Sequence, residues 1–280
     1  MKESLPASSL LNCSSQYFFS QRLKLHYVDW GNPDAPPLLL IHGGRDHSRA
    51  WDWVADRLCK DWHVIAPDLR GHGESSWSPE GNYSMAAFTY DLAQLLHHLD
   101  MDKVNIVAHS LGGAISLRYT GLFPESVRKL VVIEGMRPPP EIWAEQSKAY
   151  PQRMRDWVEN KRKTAGRTVK RYASLAQAQQ RMKEENHHLS DGQVQHLTLH
   201  GINRNEDGTY SWKFDNYLRV HDPVDISQDE IHELWSNASC PTMLMYGKES
   251  WASNPEEDGR LSHFPNAHVV EYENAGHWLH

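Results

Sequence analysis

Short apolar runs alternate with helical patterns along most of the 280-residue chain, and this alternation restricts the possible folds strongly. The runs "PLLLIH", "WHVIAPD", "KVNIVAH" and "RKLVVIEG" have the length of strands, and helical periodicity separates them near residues 49–58, 85–99 and 111–123. Strands that are apolar throughout are covered on both faces, as in parallel sheets flanked by helices. The pattern therefore predicts an α/β fold with a doubly wound, mostly parallel sheet.

The alternation stops between residues 136 and 225 and then resumes. That stretch contains helical segments rich in Gln, Arg, Lys and Glu and the turn signal "NEDGTY", without a buried strand pattern. Beyond it we predict helices near 228–235 and 256–263 and the strands "PTMLMYG" and "HVVEY". We expect a core formed by residues 21–135 and 226–280, an inserted helical cap at 136–225, and a poorly ordered leader at 1–20.

Composition restricts the partners and the cellular location that we expect for the protein. The 29 Lys and Arg residues against 36 Asp and Glu give a net charge of −7, which offers no reason to expect a nucleic-acid partner. Cys13, Cys59 and Cys240 form neither a disulfide framework nor a CxxC pair, which favours a reducing, cytoplasmic location. The N-terminus lacks the continuous apolar region of a signal peptide, and no apolar run approaches the length of a membrane span. Composition does not define the oligomeric state.

The stretch "VNIVAHSLGGAIS" is the strongest indication of chemistry. An apolar strand leads directly into Ser110, and a helix follows at once. Such a tight strand–turn–helix needs small residues on both sides of its central residue, and Ala108 and Gly112 meet that need. We therefore predict that Ser110 lies on a strained elbow with its hydroxyl exposed above the sheet, as a nucleophile.

A serine nucleophile requires a base and hydrogen-bond donors for the oxyanion. The loop "ENAGHWLH" follows the last predicted strand and offers His277, in the chain order nucleophile, acid, histidine that this architecture uses. The turn in "LLLIHGGRDHSRAW" could direct the backbone N–H of Gly44 into the site, and Leu111 at the start of its helix supplies a second N–H. We predict Gly44 and Leu111 as the oxyanion hole.

The motifs "HGGRDHSRAW", "PDLRGHGES", "AHSLGG" and "AGHW", in this order, resemble the α/β-hydrolase superfamily with a helical cap, from about residue 21 to residue 280. The layout is similar to that of haloalkane dehalogenases and epoxide hydrolases, which use an aspartate at the elbow, whereas Ser110 makes the chain look like a serine esterase. The family ordinarily has a helix after the catalytic histidine. Here three residues follow His277, so either the chain is shortened or the sheet edge is bare.

The third catalytic residue is a second departure from the family pattern. Many members carry the acid about three residues after the glycine that ends the penultimate strand, but Gly247 is followed by Lys248, Glu249 and Ser250. Glu134 instead ends the apolar run "LVVIEG", where a charged residue needs a partner. One subfamily of haloalkane dehalogenases takes its acid from this strand end. We favour Glu134 as the acid that orients His277, with Glu249 as the alternative.

These residues predict a serine hydrolase that cleaves a small-molecule carboxylic ester through an acyl-enzyme. Two alternatives stay open: a hydrolase that cleaves a carbon–carbon bond in a diketone-like compound, and a slow-turnover small-molecule receptor on the same fold. No cofactor is implied. The His pairs 97–98 and 187–188 lack metal-ligand spacing, so no metal site is expected. We expect the cap to line an apolar pocket with aromatic residues, without assigning individual contacts, and the same residues could instead form the packing core of the cap: Trp143, Trp157, Tyr210, Trp212 and Tyr217.

Overall fold

An eight-stranded sheet forms the centre of the protein in a computed structural model that describes residues 13–136 and 147–280. Its strand order is β1-β2-β4-β3-β5-β6-β9-β10; β1 and β2 pair antiparallel, as do β2 and β4, and the remaining pairs are parallel. This confirms the predicted doubly wound, mostly parallel sheet. The strands are β1 (Ser14–Ser20), β2 (Leu23–Asp29), β3 (Pro37–Ile41), β4 (His63–Pro67), β5 (Val104–His109), β6 (Val127–Ile133), β9 (Thr242–Gly247) and β10 (Ala267–Tyr272), with β7 (Ile202–Arg204) and β8 (Tyr210–Trp212) forming a separate hairpin.

Several of the α-helices begin after a serine whose side chain accepts from one of their first backbone N–H groups. Ser84 accepts from the N–H of Ala87, and Ser227 forms a capping box with Glu230. The α-helices of the described residues are α1 (Asp52–Leu58), α2 (Met85–His98), α3 (Leu111–Leu122), α4 (Tyr150–Ala165), α5 (Leu175–Glu185), α6 (Asp191–Gly201) and α7 (Gln228–Asn237). Gly121 lets α3 approach α7 closely, because a Cβ there would lie 2.3 Å from the Leu234 carbonyl oxygen.

The two faces of the sheet carry separate apolar clusters. Leu39 and Ile41 point to the face covered by α2 and α3, whereas Leu38 and Leu40 point to the face covered by α1. Alternation of this kind follows from the two-residue side-chain period of a strand. All four side chains are almost wholly buried, so β3 lies in the middle of the core and fixes the position of the loop that follows it.

The N-terminal prediction was wrong for part of its range. Residues 1–12 of the expected poorly ordered leader lie outside the described residues, but Ser14–Ser20 forms β1, paired with β2 from Ser14↔Asp29 to Ser20↔Leu23. Phe18 packs into the core, and the Ser20 hydroxyl donates to Asp91 Oδ1 at 2.5 Å. The serine-rich composition concealed the strand because only two of its side chains are buried.

The helix predicted near residues 256–263 is reduced to a 3₁₀ turn at Arg260–His263. Gly259 adopts a left-handed conformation with φ +83°, and the side chain of Asn254 accepts from the N–H of Glu256 at 2.9 Å. Asp258 likewise accepts from the N–H of Arg260 at 3.2 Å. Local side-chain bonds of this kind compete with helical hydrogen bonding, so the segment folds as consecutive turns.

The segment between β6 and α7, which we call the cap, lies outside the large sheet. Its described part contains α4, α5 and α6 and the hairpin of β7 and β8, whose turn is the predicted "NEDGTY". The cap touches the core through polar contacts, such as the ring of His47 with the Leu197 carbonyl at 3.1 Å. Among the residues described, no helix combines the length and apolarity needed to cross a membrane.

Candidate active site

Ser110 lies on a sharp turn between β5 and α3. Its backbone is strained, with φ +49° and ψ −115°, and its N–H donates to the Ile133 carbonyl at 2.8 Å. Ala108 is buried, and a Cβ added to Gly112 would lie 2.5 Å from the Ile41 carbonyl oxygen. Small residues at both positions therefore allow the turn that presents the Ser110 hydroxyl to the adjacent cavity.

His277 links Ser110 to Glu134. Its Nε2 atom lies 3.0 Å from the Ser110 hydroxyl, and its Nδ1 atom lies 3.1 Å from Glu134 Oε2. A carboxylate only accepts hydrogen bonds, so in the neutral ring Nδ1 carries the proton and Nε2 is the acceptor. The ring is therefore oriented to take a proton from the hydroxyl, the arrangement that nucleophilic catalysis requires.

The Glu134 carboxylate is fully buried one residue beyond β6, at a backbone φ of +55°. Its Oε1 atom accepts from the N–H of Gly247 at 2.7 Å, and its Oε2 atom also accepts from the Ser250 hydroxyl. Glu249 is exposed, its N–H donates to the Ala275 carbonyl at 2.9 Å, and no bond joins its carboxylate to His277. Of the two candidate acids, the fold brings Glu134 to the histidine.

Sequence reasoning missed the two residues that hold this carboxylate. It treated Ser250 only as a residue unable to replace an acid, and it gave Gly247 no part in the site. A Cβ on Gly247 would lie 2.2 Å from the Ala275 carbonyl oxygen, so this glycine also lets the loop carrying His277 pass close to β9. The position of Ser250 could have indicated its importance, because many members of the family carry the acid itself at this place.

Gly44 and Leu111 face one another beside Ser110. A Cβ on Gly44 would lie 3.9 Å from Leu111 Cδ2, and both residues line the cavity with Ser110 and His277. Leu111 is the first residue of α3, and the first N–H groups of a helix have no partner within it. Both predicted donors thus belong to residues that line the cavity next to Ser110.

Aromatic rings surround His277. The rings of Trp251 and Trp278 lie with their centroids 4.9 and 5.1 Å from that of His277. His109 lies 4.7 Å away on another side and bonds the His277 carbonyl through Nε2 at 2.8 Å. Burial, then the neighbouring His280 and His277, hold the pKa of His109 well below its usual value, so this ring stays neutral next to the site.

A cavity of about 780 Å³ opens at the elbow. Its apolar lining comes mainly from the core and from the end of the cap, through Met85, Phe88, Leu117, Leu218, Ile231 and Trp235. The expectation that cap aromatics line the pocket was wrong for the described residues: Trp157, Tyr210, Trp212 and Tyr217 do not line this cavity, and Trp143 lies outside the described residues. Tyr210 and Trp212 instead pack with Tyr172 in the small core of the cap.

Among the described residues, two groups of side chains bring possible metal-ligand atoms within 4.8 Å of one another, and sequence reasoning found neither. They are Asp46 with His109 and His280, and Asp52 with His196 and His200. His196 and His200 are four residues apart on α6, a spacing that could have been noticed. Arg49 donates to both Asp52 oxygens at 2.8 Å and His196 Nε2 lies 3.0 Å from Oδ2, so this carboxylate already has cationic and imidazole partners.

The fold and the serine–histidine–carboxylate arrangement define the class to which the chain belongs. A family model described as alpha/beta hydrolase fold matches residues 36–280, and the chain is a member of that family. The family resemblance read from the motifs is thereby confirmed.

Individual relatives resemble the chain over different lengths. An uncharacterized protein of Mycobacterium tuberculosis is 43% identical over 100 residues, which are 36% of this chain and 29% of that protein, so the match spans less than a third of the relative. An esterase of the same organism is 26% identical over 89% of this chain and 78% of its own. A crystal structure of a hypothetical protein from Pseudomonas aeruginosa superposes with a TM-score of 0.81 at 22% identity, over 94% and 91% of the two chains. At 22% identity the superposition is evidence of a shared fold only.

Proposed function

We propose that this protein is a serine hydrolase that cleaves a carboxylic ester of a small or medium-sized substrate through an acyl-enzyme. The observation that carries the proposal is the unbroken series of contacts from the Ser110 hydroxyl to His277 Nε2 at 3.0 Å and from His277 Nδ1 to Glu134 Oε2 at 3.1 Å. The series ends in a cavity large enough for an organic ester. Similarity to an esterase of Mycobacterium tuberculosis supports the same reaction class.

In the first half-reaction the Ser110 oxygen attacks the ester carbonyl while His277 Nε2 takes the hydroxyl proton. The oxyanion of the tetrahedral intermediate accepts from the N–H groups of Gly44 and Leu111, and the charged imidazole is stabilised by Glu134. When the intermediate collapses, His277 gives the proton to the departing alcohol. The acyl group then remains on Ser110.

In the second half-reaction water attacks the acyl-enzyme. His277 takes a proton from the water, the same two N–H groups hold the new oxyanion, and collapse breaks the bond to Ser110, which recovers its proton from His277. The product is a carboxylic acid, and the enzyme returns to its starting state. Every proton transfer passes through one nitrogen atom, His277 Nε2.

The proposal is tested with p-nitrophenyl esters of graded acyl length and with a fluorophosphonate probe. We expect turnover and covalent labelling of the native protein, and loss of both in Ser110→Ala with an unchanged circular dichroism spectrum. Turnover that survives in Ser110→Ala would exclude this serine as nucleophile. A diketone substrate in the same panel separates carbon–carbon bond hydrolysis from ester hydrolysis.

A further inference from the structure

Four arginines line the catalytic cavity, and two of them are paired with carboxylates. The terminal nitrogens of Arg118 each lie 2.7 Å from an oxygen of Asp225. Nε of Arg260 lies 2.8 Å from both oxygens of Asp258. These two guanidinium charges are balanced within the protein and therefore stabilise the wall of the cavity.

Arg45 and Arg219 line the same cavity without such partners. Within the described part of the chain, no carboxylate forms an ion pair with either side chain, and both residues are exposed to the cavity and solvent. Arg45 directly follows the predicted oxyanion donor Gly44 and adopts a left-handed backbone conformation with φ +65°. Arg219 lies at the end of the cap, its guanidinium carbon 5.9 Å from the ring centroid of Phe214.

Arg45 and Arg219 line one cavity, and their positive charges act on one another. Partial burial of the guanidinium group lowers the pKa of Arg219, and the charges of Arg45 and then Arg167 lower it further, against a smaller opposing effect of Glu185. The whole chain carries a net charge of −7, so this cationic region is a local feature of the cavity and does not reflect a generally basic surface. Like charges that face one cavity repel each other, and an anion bound between them relieves that repulsion.

We propose that Arg45 and Arg219 form a subsite for an oxyanion group, carboxylate or phosphate, carried by the ester that Ser110 cleaves. The planar guanidinium group donates two parallel hydrogen bonds to such a group, so it suits this role better than a lysine would. The inference rests on the proposed function for its reaction but not for its binding chemistry. Arg45 lies one residue from an oxyanion donor, so the anionic group would be held near the reacting carbonyl and would orient it.

Two esters of equal length isolate the contribution of charge. Mono-p-nitrophenyl glutarate ends in a carboxylate, whereas p-nitrophenyl valerate ends in a methyl group. We expect the native protein to favour the glutarate ester in kcat/KM, and the double substitution Arg45→Ala with Arg219→Ala to reduce the glutarate-to-valerate ratio by about tenfold or more. Arg128→Ala, which removes an exposed arginine on β6 outside the cavity, is the matched control and should keep the ratio.

Binding without turnover separates this inference from the proposed reaction. Glutarate and glycerol phosphate are each added to Ser110→Ala, and the melting temperature is recorded with and without the two arginine substitutions. Stabilisation by either ligand that disappears with the arginines supports the subsite even if no ester is hydrolysed, and the effective ligand identifies the oxyanion. An unchanged ester ratio, together with no arginine-dependent stabilisation by either ligand, would overturn it.

Discussion

The hydroxyl of Ser250 donates to Oε2 of Glu134, the same carboxylate oxygen that lies 3.1 Å from Nδ1 of His277. One oxygen atom thus receives bonds from two different segments of the chain, while the other accepts from the N–H of Gly247. A buried carboxylate held by several donors has little freedom to rotate away from the imidazole. We therefore expect Ser250 to act as a positioning residue, through Glu134, from a place where many members of the family carry the acid.

Replacing Ser250 tests this positioning role. Ser250→Ala removes one hydrogen bond to a charged group, so we expect kcat to fall by roughly tenfold or more. The value of KM should change little, because the hydroxyl does not line the cavity. Ser250→Thr keeps the hydroxyl and should recover most of the rate. The exposed Ser262 provides the control Ser262→Ala, and an equal loss in that variant would count against a specific role.

The assignment of the acid is tested by two isosteric substitutions. Glu134→Gln keeps the shape but removes the charge that stabilises the imidazolium, and we expect kcat to fall by about a thousandfold or more. Glu249→Gln changes an exposed side chain without a bond to His277, so its loss should stay below about tenfold. Steady-state kinetics on one ester measure both, and the opposite ranking would return the role to Glu249.

A further test moves the carboxylate from position 134, after β6, to position 250, after β9. The combination of Glu134→Gln with Ser250→Asp places a carboxylate where Ser250 now contacts position 134. We expect the double variant to regain at least about tenfold in kcat over Glu134→Gln alone, since the side chain at position 250 already contacts the carboxylate oxygen that faces the imidazole. Equal rates for the single and double variants would show that an acid at position 250, after the end of β9, is not held in the correct place.

Trp212 is expected to contribute to stability and not to selectivity. Its indole N–H donates to the Tyr172 hydroxyl at 3.0 Å, and the two rings form an edge contact with centroids 5.9 Å apart. Because the side chain packs in the cap, Trp212→Ala should lower the melting temperature by about 5 °C. The ratio of rates on short and long acyl esters should not change. Leu218→Ala alters the lining of the cavity and should change this ratio, and it should also lower the melting temperature because Leu218 packs against the main core.

Buried histidines should make the protein sensitive to mild acid. Burial, followed by the charge of His42, lowers the pKa of His72 from 6.5 to about 3. Between these two pH values the His72 ring binds a proton in the unfolded state but not in the folded state. The free energy of unfolding therefore falls as the pH falls, by up to about 1.4 kcal/mol per pH unit for this group. Urea unfolding of native protein and His72→Asn between pH 7 and pH 4 measures the difference in slope.

The effect of His72 on the pH dependence of stability can be separated from that of Asp46 and from that of an exposed histidine. Asp46 has the opposite effect, because burial raises its pKa to about 7 and its folded form keeps a proton that the unfolded form releases. That contribution to stability is lost as the pH rises through 7, and it is common to both proteins. His187→Asn alters an exposed histidine and serves as the control. A slope in His72→Asn as steep as that of the native protein would contradict the prediction.

The central sheet could be predicted because its evidence is local in the sequence. Buried strands give continuous apolar runs, and the elbow at Ser110 requires small neighbours that can be seen in the same short stretch. Glu134 could be inferred because a charge at the end of an apolar run needs a partner. Ser250 could not, since the function of a hydroxyl depends on what it faces, here a carboxylate 116 residues away. The prediction that cap aromatics line the cavity failed for the same reason, since it also concerned which distant residues a side chain faces.

The distances along the chain between the site residues have a consequence for how activity is acquired during folding. Ser110 and His277 are 167 residues apart, and Glu134 and His277 are 143 apart, so each contact closes a long loop. The backbone bonds of helices α2 and α3 join residues four apart, whereas the site requires β5, β6, β9 and the segment after β10 in their final register. In refolding, helical circular dichroism should therefore return before catalysis does, and turnover reports the completed chain topology.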